Sequence, residues 1–343
     1  MTDYERILID TEKAVSEYAA PFDPDGGYDN GLIPLRDSIV RYCEMDDPYG
    51  NKADILQSAN DQAALLYAFK RWQKHKVVYD FNPAFLDALY QTEDAPIHLD
   101  LLRRLPYDSC FLNAPYKAED DDIWYQGAFV TAEIHETECH ILTVYMARRD
   151  DGAIGCWQSG LWIHEGQTIE EAITNAVTGY GEVVYEMDSD SAHSTLPNNP
   201  EQEELRIRMC HANLHRAIQA LYYLSAENAD VKAYKPTPKN KRPKRFSGLP
   251  LNLKAAGVGM REGIAFEELL RREREARPKS TARRAARINV VRTHVRRAHW
   301  HHYWVGEGRA RLVLKWLAPT IVNPNGELDA VSRKAGYPQK AKK

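Results

Sequence analysis

Charge is divided along this chain into two blocks of opposite sign. Residues 1–230 hold 17 Lys and Arg against 41 Asp and Glu, a net of −24; residues 231–343 hold 28 against 8, a net of +20. The overall charge of −4 conceals this division. It limits what the chain can fold into, because a compact block of one sign repels itself and needs the other block or a partner of opposite sign beside it. The acidic block can draw a basic partner or repel nucleic acid, and a basic segment is the usual footprint of a polyanion contact. The competing arrangement is partial neutralisation of one block by the other within the fold.

The 343 residues are enough for a large core, in one big domain or two moderate ones. Hydrophobic residues at 43% and charged residues at 27% match a globular protein in water. No run of about 18 apolar residues occurs, so no membrane contact is expected. The acidic start Met1-Thr2-Asp3-Tyr4-Glu5 does not read as a secretory leader. Five cysteines (Cys43, Cys110, Cys139, Cys156, Cys210) lie scattered without CxxC spacing. That pattern fits a reducing cytoplasm, with each thiol a small buried hydrophobe.

Hydrophobic periodicity predicts helices over 3–19, 32–43 and 52–74, the third striped by Ile55, Leu56, Ala59, Ala63, Leu66, Phe69 and Trp72. Shorter helices are expected around Phe85 to Leu89 and Leu99 to Leu105. The segments 123–134 and 140–148 are rich in β-branched and aromatic residues and flank a polar turn, the pattern of an antiparallel pair to which 154–164 adds a strand. Thr168 is expected to cap a helix whose first turn carries Glu170 and Glu171, and a long helix runs from about 201 to 227. The fold class expected is therefore α+β: a helical N-terminal part (1–107), then a central α+β region (108–231) whose antiparallel sheet is completed by a C-terminal β-hairpin. A basic, proline-rich linker over 232–262 and a basic C-terminal region over 263–343 complete the division.

That hairpin, 293–317, is the most unusual part of the chain. Gly306-Glu307-Gly308 supplies permissive backbone for a reversal, and both flanks suit strands. Alternation puts His294, Arg296, Ala298, Trp300, His302 and Trp304 on one face of the first strand and Ala310, Leu312, Leu314 and Trp316 on one face of the second, and the simplest pairing buries Trp300 and Trp304 against Leu312, Leu314 and Trp316. It leaves a basic, aromatic outer face. The candidate nucleic-acid or partner-binding residues of the hairpin are Arg296, Arg297, His299, Trp300, His301, Tyr303, Arg309, Arg311 and Lys315. Three readings compete there. Cations beside flat rings suit phosphate and stacked bases. His294, His299 and His301 can serve a metal or acid–base site, although Glu307 is the one carboxylate in the hairpin. Or the His and Arg side chains bond carboxylates of the acidic block and only hold the fold.

Other signals are weaker. Gly257-Val258-Gly259 lacks a dinucleotide site's third glycine and reads as a turn. Gly179-Tyr180-Gly181 reads as a helix kink or end. His211 and His215 form an i, i+4 pair with no evident third ligand. No cofactor, metal site or catalytic residue is expected.

The run from His294 to Gly308, followed by Trp316, Pro319, Val322 and Asn323, resembles the C-terminal signature of the second family of type V-A anti-CRISPR proteins. Asp29-Asn30-Gly31-Leu32, Phe111-Leu112-Asn113 before Pro115, and Gly166-Gln167 before a helix resemble the same family in the same order, whereas 232–290 carry little of the likeness. The resemblance implies a phage- or plasmid-borne protein. It would recognise the N-terminal peptide of the single-chain type V-A nuclease (Cas twelve a) as that peptide leaves the ribosome, with loss of the nuclease message and protein. The acidic block would then supply a groove for an extended peptide, and the basic hairpin a contact to ribosome or mRNA. The competing functions are a His- or metal-dependent ribonuclease and a mobile-element RNA-binding protein unrelated to CRISPR.

Overall fold

A computed structural model describes residues 2–19, 35–37, 39–40, 52–117, 124–148, 154–183, 200–233, 252–276 and 294–322. The expected turns at 119–122 and 150–152, the loop over 188–199 and the terminal segment 333–343 lie outside them, as do 234–251 of the expected linker.

Helix α1 (Asp3–Ala19) opens with a reciprocal cap: the Thr2 amide donates to Glu5 Oε2 (2.8 Å) and the Glu5 amide to Thr2 Oγ1. Its stripe Tyr4, Ile7, Leu8 and Val15 is buried. Of the helix expected over 32–43, residues 35–37 and 39–40 are described and helical. Helix α2 (Lys52–His75) follows, then strand β1 (Val77–Phe81), α3 (Pro83–Tyr90) and the short α4 (Leu99–Leu102). Asn82 caps α3 by accepting from the Phe85 amide (3.1 Å), with Pro83 at the first helical position.

Strands β2 (Ser109–Asn113), β3 (Tyr116–Lys117), β4 (Trp124–Ile134), β5 (Glu138–Arg148) and β6 (Ile154–His164) come next. The meander β4–β5–β6 is where the β-branched and aromatic segments placed it. Thr168 caps α5 (Ile169–Val183) by accepting from the Glu171 amide (3.2 Å), and α5 runs on through Gly179-Tyr180-Gly181 without the expected break. Helix α6 (Pro200–Leu224), β7 (Val231–Ala233), β8 (Lys254–Val258) and α7 (Met260–Ala276) complete the body.

The strands form one sheet in the order β6-β5-β4-β2-β1-β8-β7, with β3 beside β4. The α+β class stands, but the sheet is mixed, not wholly antiparallel: β1 runs parallel to both β2 and β8. Strand alternation divides the core. Val78, Phe111, Phe129, Leu142, Val144 and Met146 face α1 and α2. Val77, Tyr79, Leu112, Val130, Ile141 and Tyr145 face α3 to α7.

The segment expected as a linker is paired at both ends. Residues 254–258 form β8, between β1 and β7, and α7 begins at Met260. Lys254-Ala-Ala-Gly-Val lacks the bulky branched residues that mark a strand; its small side chains fit the interior, flanked by parallel β1. Gly257 and Val258 thus belong to the strand, and only Gly259 is a turn. Its φ of +66° and the Phe85 ring, 2.1 Å from where a Cβ would stand, both require glycine there.

The C-terminal hairpin is β10 (His299–Val305) and β11 (Arg311–Leu317), reversed through Gly306 (φ +87°) and the single turn Glu307–Arg309. It does not join the central sheet but lies as a separate ribbon on the helical layer. The expected first strand is also broken: β9 (His294–Arg296) pairs with β12 (Thr320–Val322) as a second small ribbon.

Candidate functional site

Register in the ribbon sets Trp300 opposite Trp316, His302 opposite Leu314, and Trp304 opposite Leu312. The inner face built this way is anchored by hydrogen bonds as well as by burial. Trp300 Nε1 donates to Gln219 Oε1 (3.1 Å), and its ring meets Tyr222 edge-on. Trp316 Nε1 donates to Thr92 Oγ1 (3.0 Å), while its backbone exchanges bonds with the Asn228 side chain. Leu314 and Ala298 accept at their carbonyls from the amides of Glu227 (2.9 Å) and Glu93 (3.0 Å). Arg104 reaches across to the Leu312 carbonyl (2.6 Å).

His302 sits in this seam. Tyr222 Oη donates to the Pro96 carbonyl (2.9 Å), so at 2.8 Å from His302 Nε2 it accepts from the imidazole. Burial, then the nearby His98 and His301, holds the His302 imidazole down to about 4, so it is neutral at physiological pH. The His98 ring, 4.9 Å away, is bonded through Nδ1 to Glu165 (2.7 Å).

Two assignments are corrected. Trp300, counted among the binding residues although alternation put it on the inner face, is 7% exposed and packs inward. Trp304, expected to be buried, is 59% exposed; it stands next to Val305 and Gly306, at the turn end of the ribbon, away from the Trp300–Trp316 pair that docks on the helical layer.

The outer face carries what the sequence placed there. His301 and Tyr303 stack at 4.1 Å, both exposed, and Lys315 Nζ lies 5.5 Å from the Tyr303 ring centre. Glu227, from the acidic block, answers two ribbon cations: Arg311 (3.2 Å) and Lys315 (3.7 Å). Arg296, Arg297 and Arg309 are exposed and have no ion pair among the described residues. Neutralisation by the acidic block and a free basic surface therefore both occur, on different residues. His299 and His301 share this face, but Lys315 stands directly across from His301, where a metal would meet a like charge. Among the described residues no three His, Cys, Asp or Glu side chains are placed to hold a metal ion. His211 bonds Glu170 at 2.9 Å and stacks on His215.

A second feature was not foreseen. Strand β6 is an edge of the sheet, bonded to β5 alone among the described residues. It is 11 residues long, its register with β5 is uninterrupted, and its sequence Ile-Gly-Cys-Trp-Gln-Ser-Gly-Leu-Trp-Ile-His holds no Lys, Arg, Asp, Glu or Pro. Natural edges are usually short, charged, bulged or proline-bearing, because a bare edge templates another strand. The opposite edge, β7, obeys that rule: it has three residues and carries Lys232. Alternation revealed β6 but not its place at the edge, which depends on strand order.

The sequence matches, over residues 79–324, the family model described as "AcrVA2-like: Anti-CRISPR type V subtype A2 family". Among solved structures the chain is similar to one described as "Crystal structure of AcrVA2", at 17% identity and a TM-score of 0.43, covering 92% of this chain and 94% of that one. No curated protein matches the chain.

Proposed function

The chain belongs to the AcrVA2-like family, the anti-CRISPR type V subtype A2 family, and from that premise we propose that it lowers production of the type V-A CRISPR nuclease by recognising the nuclease's N-terminal peptide as it leaves the ribosome. It is an anti-CRISPR protein, and in this reading it acts by binding, not catalysis, in the cytoplasm of the bacterial host.

The observation that carries the peptide reading is the bare edge of β6. A nascent N-terminus is an unfolded chain with unmatched backbone amides and carbonyls. A long edge strand free of charge and proline can satisfy those groups by adding a strand, while side chains along it select the sequence. The ribbon supports the second half of the reading. Arg296, Arg297 and Arg309, beside the His301–Tyr303 stack and the exposed Trp304, give a polyanion both charge and flat rings. That surface would hold the protein near ribosome or mRNA while β6 samples emerging chains.

The test is a reporter whose first codons are those of the nuclease, co-expressed with the protein in cells. Message and product should fall when those codons are read in frame. They should be spared when a compensated frameshift changes the encoded peptide but barely alters the RNA. Equal loss from both reporters would overturn peptide recognition in favour of RNA recognition.

A further inference from the structure

At the far end of β4 lies an open cleft of about 570 Å³ between α2, α4 and the start of β2. Its floor is apolar, from Leu105, Ala132 and Ile134. Its wall is an ionic cluster. Arg71 donates from Nη2 to Asp108 Oδ2 (2.8 Å) and from Nη1 to Glu133 Oε1 (2.9 Å), and the Tyr67 hydroxyl bonds the same Glu133 oxygen. Glu133 Oε2 has no partner among the described residues. Arg103, also on the rim, is bonded to Asp100 and to the carbonyls of His135 and Glu136. Asp108 also faces His75 Nε2 (3.7 Å), so the two carboxylates share one guanidinium and one imidazole, and the open acceptor is Glu133 Oε2. The size is that of a pocket for a small group, not a protein surface.

A row of side chains leads from Glu133, in the cleft, to the β6 edge. Glu133 is in register with His140, and His140 with Trp162, so the three form a row on one face of the sheet, from β4 to the edge strand. The Trp162 ring lies 4.7 Å from His140 and 5.8 Å from His135, and it is 47% exposed. Gly160 leaves the space that the His140 ring occupies: a Cβ there would stand 3.3 Å from His140 Nε2. Two strand spacings separate β6 from β4, roughly 10 Å, which about three extended residues cover.

We infer that the cleft takes the free α-amino end of a polypeptide. The first side chain lies on the apolar floor, the ammonium group is bonded to Glu133, and the next few residues cross Trp162 to pair with β6. This rests on the peptide reading above and deepens it: the protein would recognise a chain terminus, not an internal segment. An ammonium carried on an apolar residue is the group that meets the open Glu133 oxygen and covers the apolar lining at once.

The experiment compares a synthetic peptide of the nuclease's first twenty or so residues with its Nα-acetylated form, by titration calorimetry against the intact protein. Acetylation removes the charge and should weaken binding by about tenfold or more. With E133Q, which has lost the carboxylate, the two peptides should bind within about threefold of each other; W162A should weaken both alike. If the wild type binds both peptides equally, the terminal-amine inference is wrong while peptide recognition stands. If it binds neither, both fail. The decisive comparison uses the unmutated protein, so a folding defect in a variant cannot blur it.

Discussion

Tyr222 Oη and His302 Nε2 lie 2.8 Å apart, joining α6 to β10 across 80 residues of sequence. Around that bond, Trp300, Trp316 and Leu314 fasten the ribbon to the helical layer, so much of the densest sequence signature in the chain serves docking. The residues interleaved with them, His301 and Tyr303, are exposed on the other face of the ribbon.

Because Tyr222 gives its proton to Pro96, the His302 imidazole should be the neutral Nε2–H tautomer, protonating only near pH 4. An unfolded chain binds that proton near pH 6.5, before the folded one does. Stability should therefore fall as pH drops from about 6.5 toward 4, and H302N should flatten that slope. Imidazole titration followed by NMR checks the site directly; a His302 midpoint near 6.5 would contradict the buried seam.

Glu262 has the opposite sign. Burial, then its hydrogen bond with Asp230, pushes its carboxyl up to about 7. The folded state thus holds the proton more tightly than the unfolded chain. The stabilisation is complete below about pH 4.5 and is lost as pH rises through 7. E262Q, which mimics the protonated acid, should show less loss of melting temperature between pH 5 and 8 than the wild type.

The two ends of the ribbon's inner row should differ sharply in energetic weight. W316A removes a side chain 2% exposed, packed on Phe85 and Tyr223, and should cost about 3–5 kcal/mol in denaturant unfolding. W304A removes one that is 59% exposed and should stay within about 0.5 kcal/mol. Equal effects would mean that Trp304 has a packing partner.

If the outer face meets a polyanion, Arg297 and Arg309, exposed and without an ion pair among the described residues, are its best contacts. The double replacement R297Q/R309Q should weaken RNA or ribosome association and lower the salt slope, log K against log salt, by about 2. An unchanged slope would place the polyanion elsewhere.

Much of this was legible in the chain. Richness in β-branched and aromatic residues about a polar turn announced β4, β5 and β6, and alternation sorted the outer face of the ribbon, because side-chain period follows directly from pleat. What escaped has physical causes. Strand β1 is only five residues, Val-Val-Tyr-Asp-Phe, wedged between two helices, and β8 is built of small residues; neither carries a period. Without them the parallel core, and hence the edge position of β6, was hidden. The Glu133–His140–Trp162 row depends on registers between strands, which no single segment encodes. Alternation foresaw the buried side of Trp300 but not its partners Gln219 and Tyr222, 81 and 78 residues away in sequence, nor the exposure of Trp304 at the Gly306 end of the same row.

The measurement that bears most directly on the central claim is titration of the purified protein with a synthetic peptide of the nuclease's first twenty or so residues, beside a scrambled peptide of identical composition. Saturable binding of the native peptide at micromolar concentration, lost when alternate backbone amides are N-methylated, is the expected result. Failure of the native peptide to bind, or equal binding of the scrambled one, would contradict it.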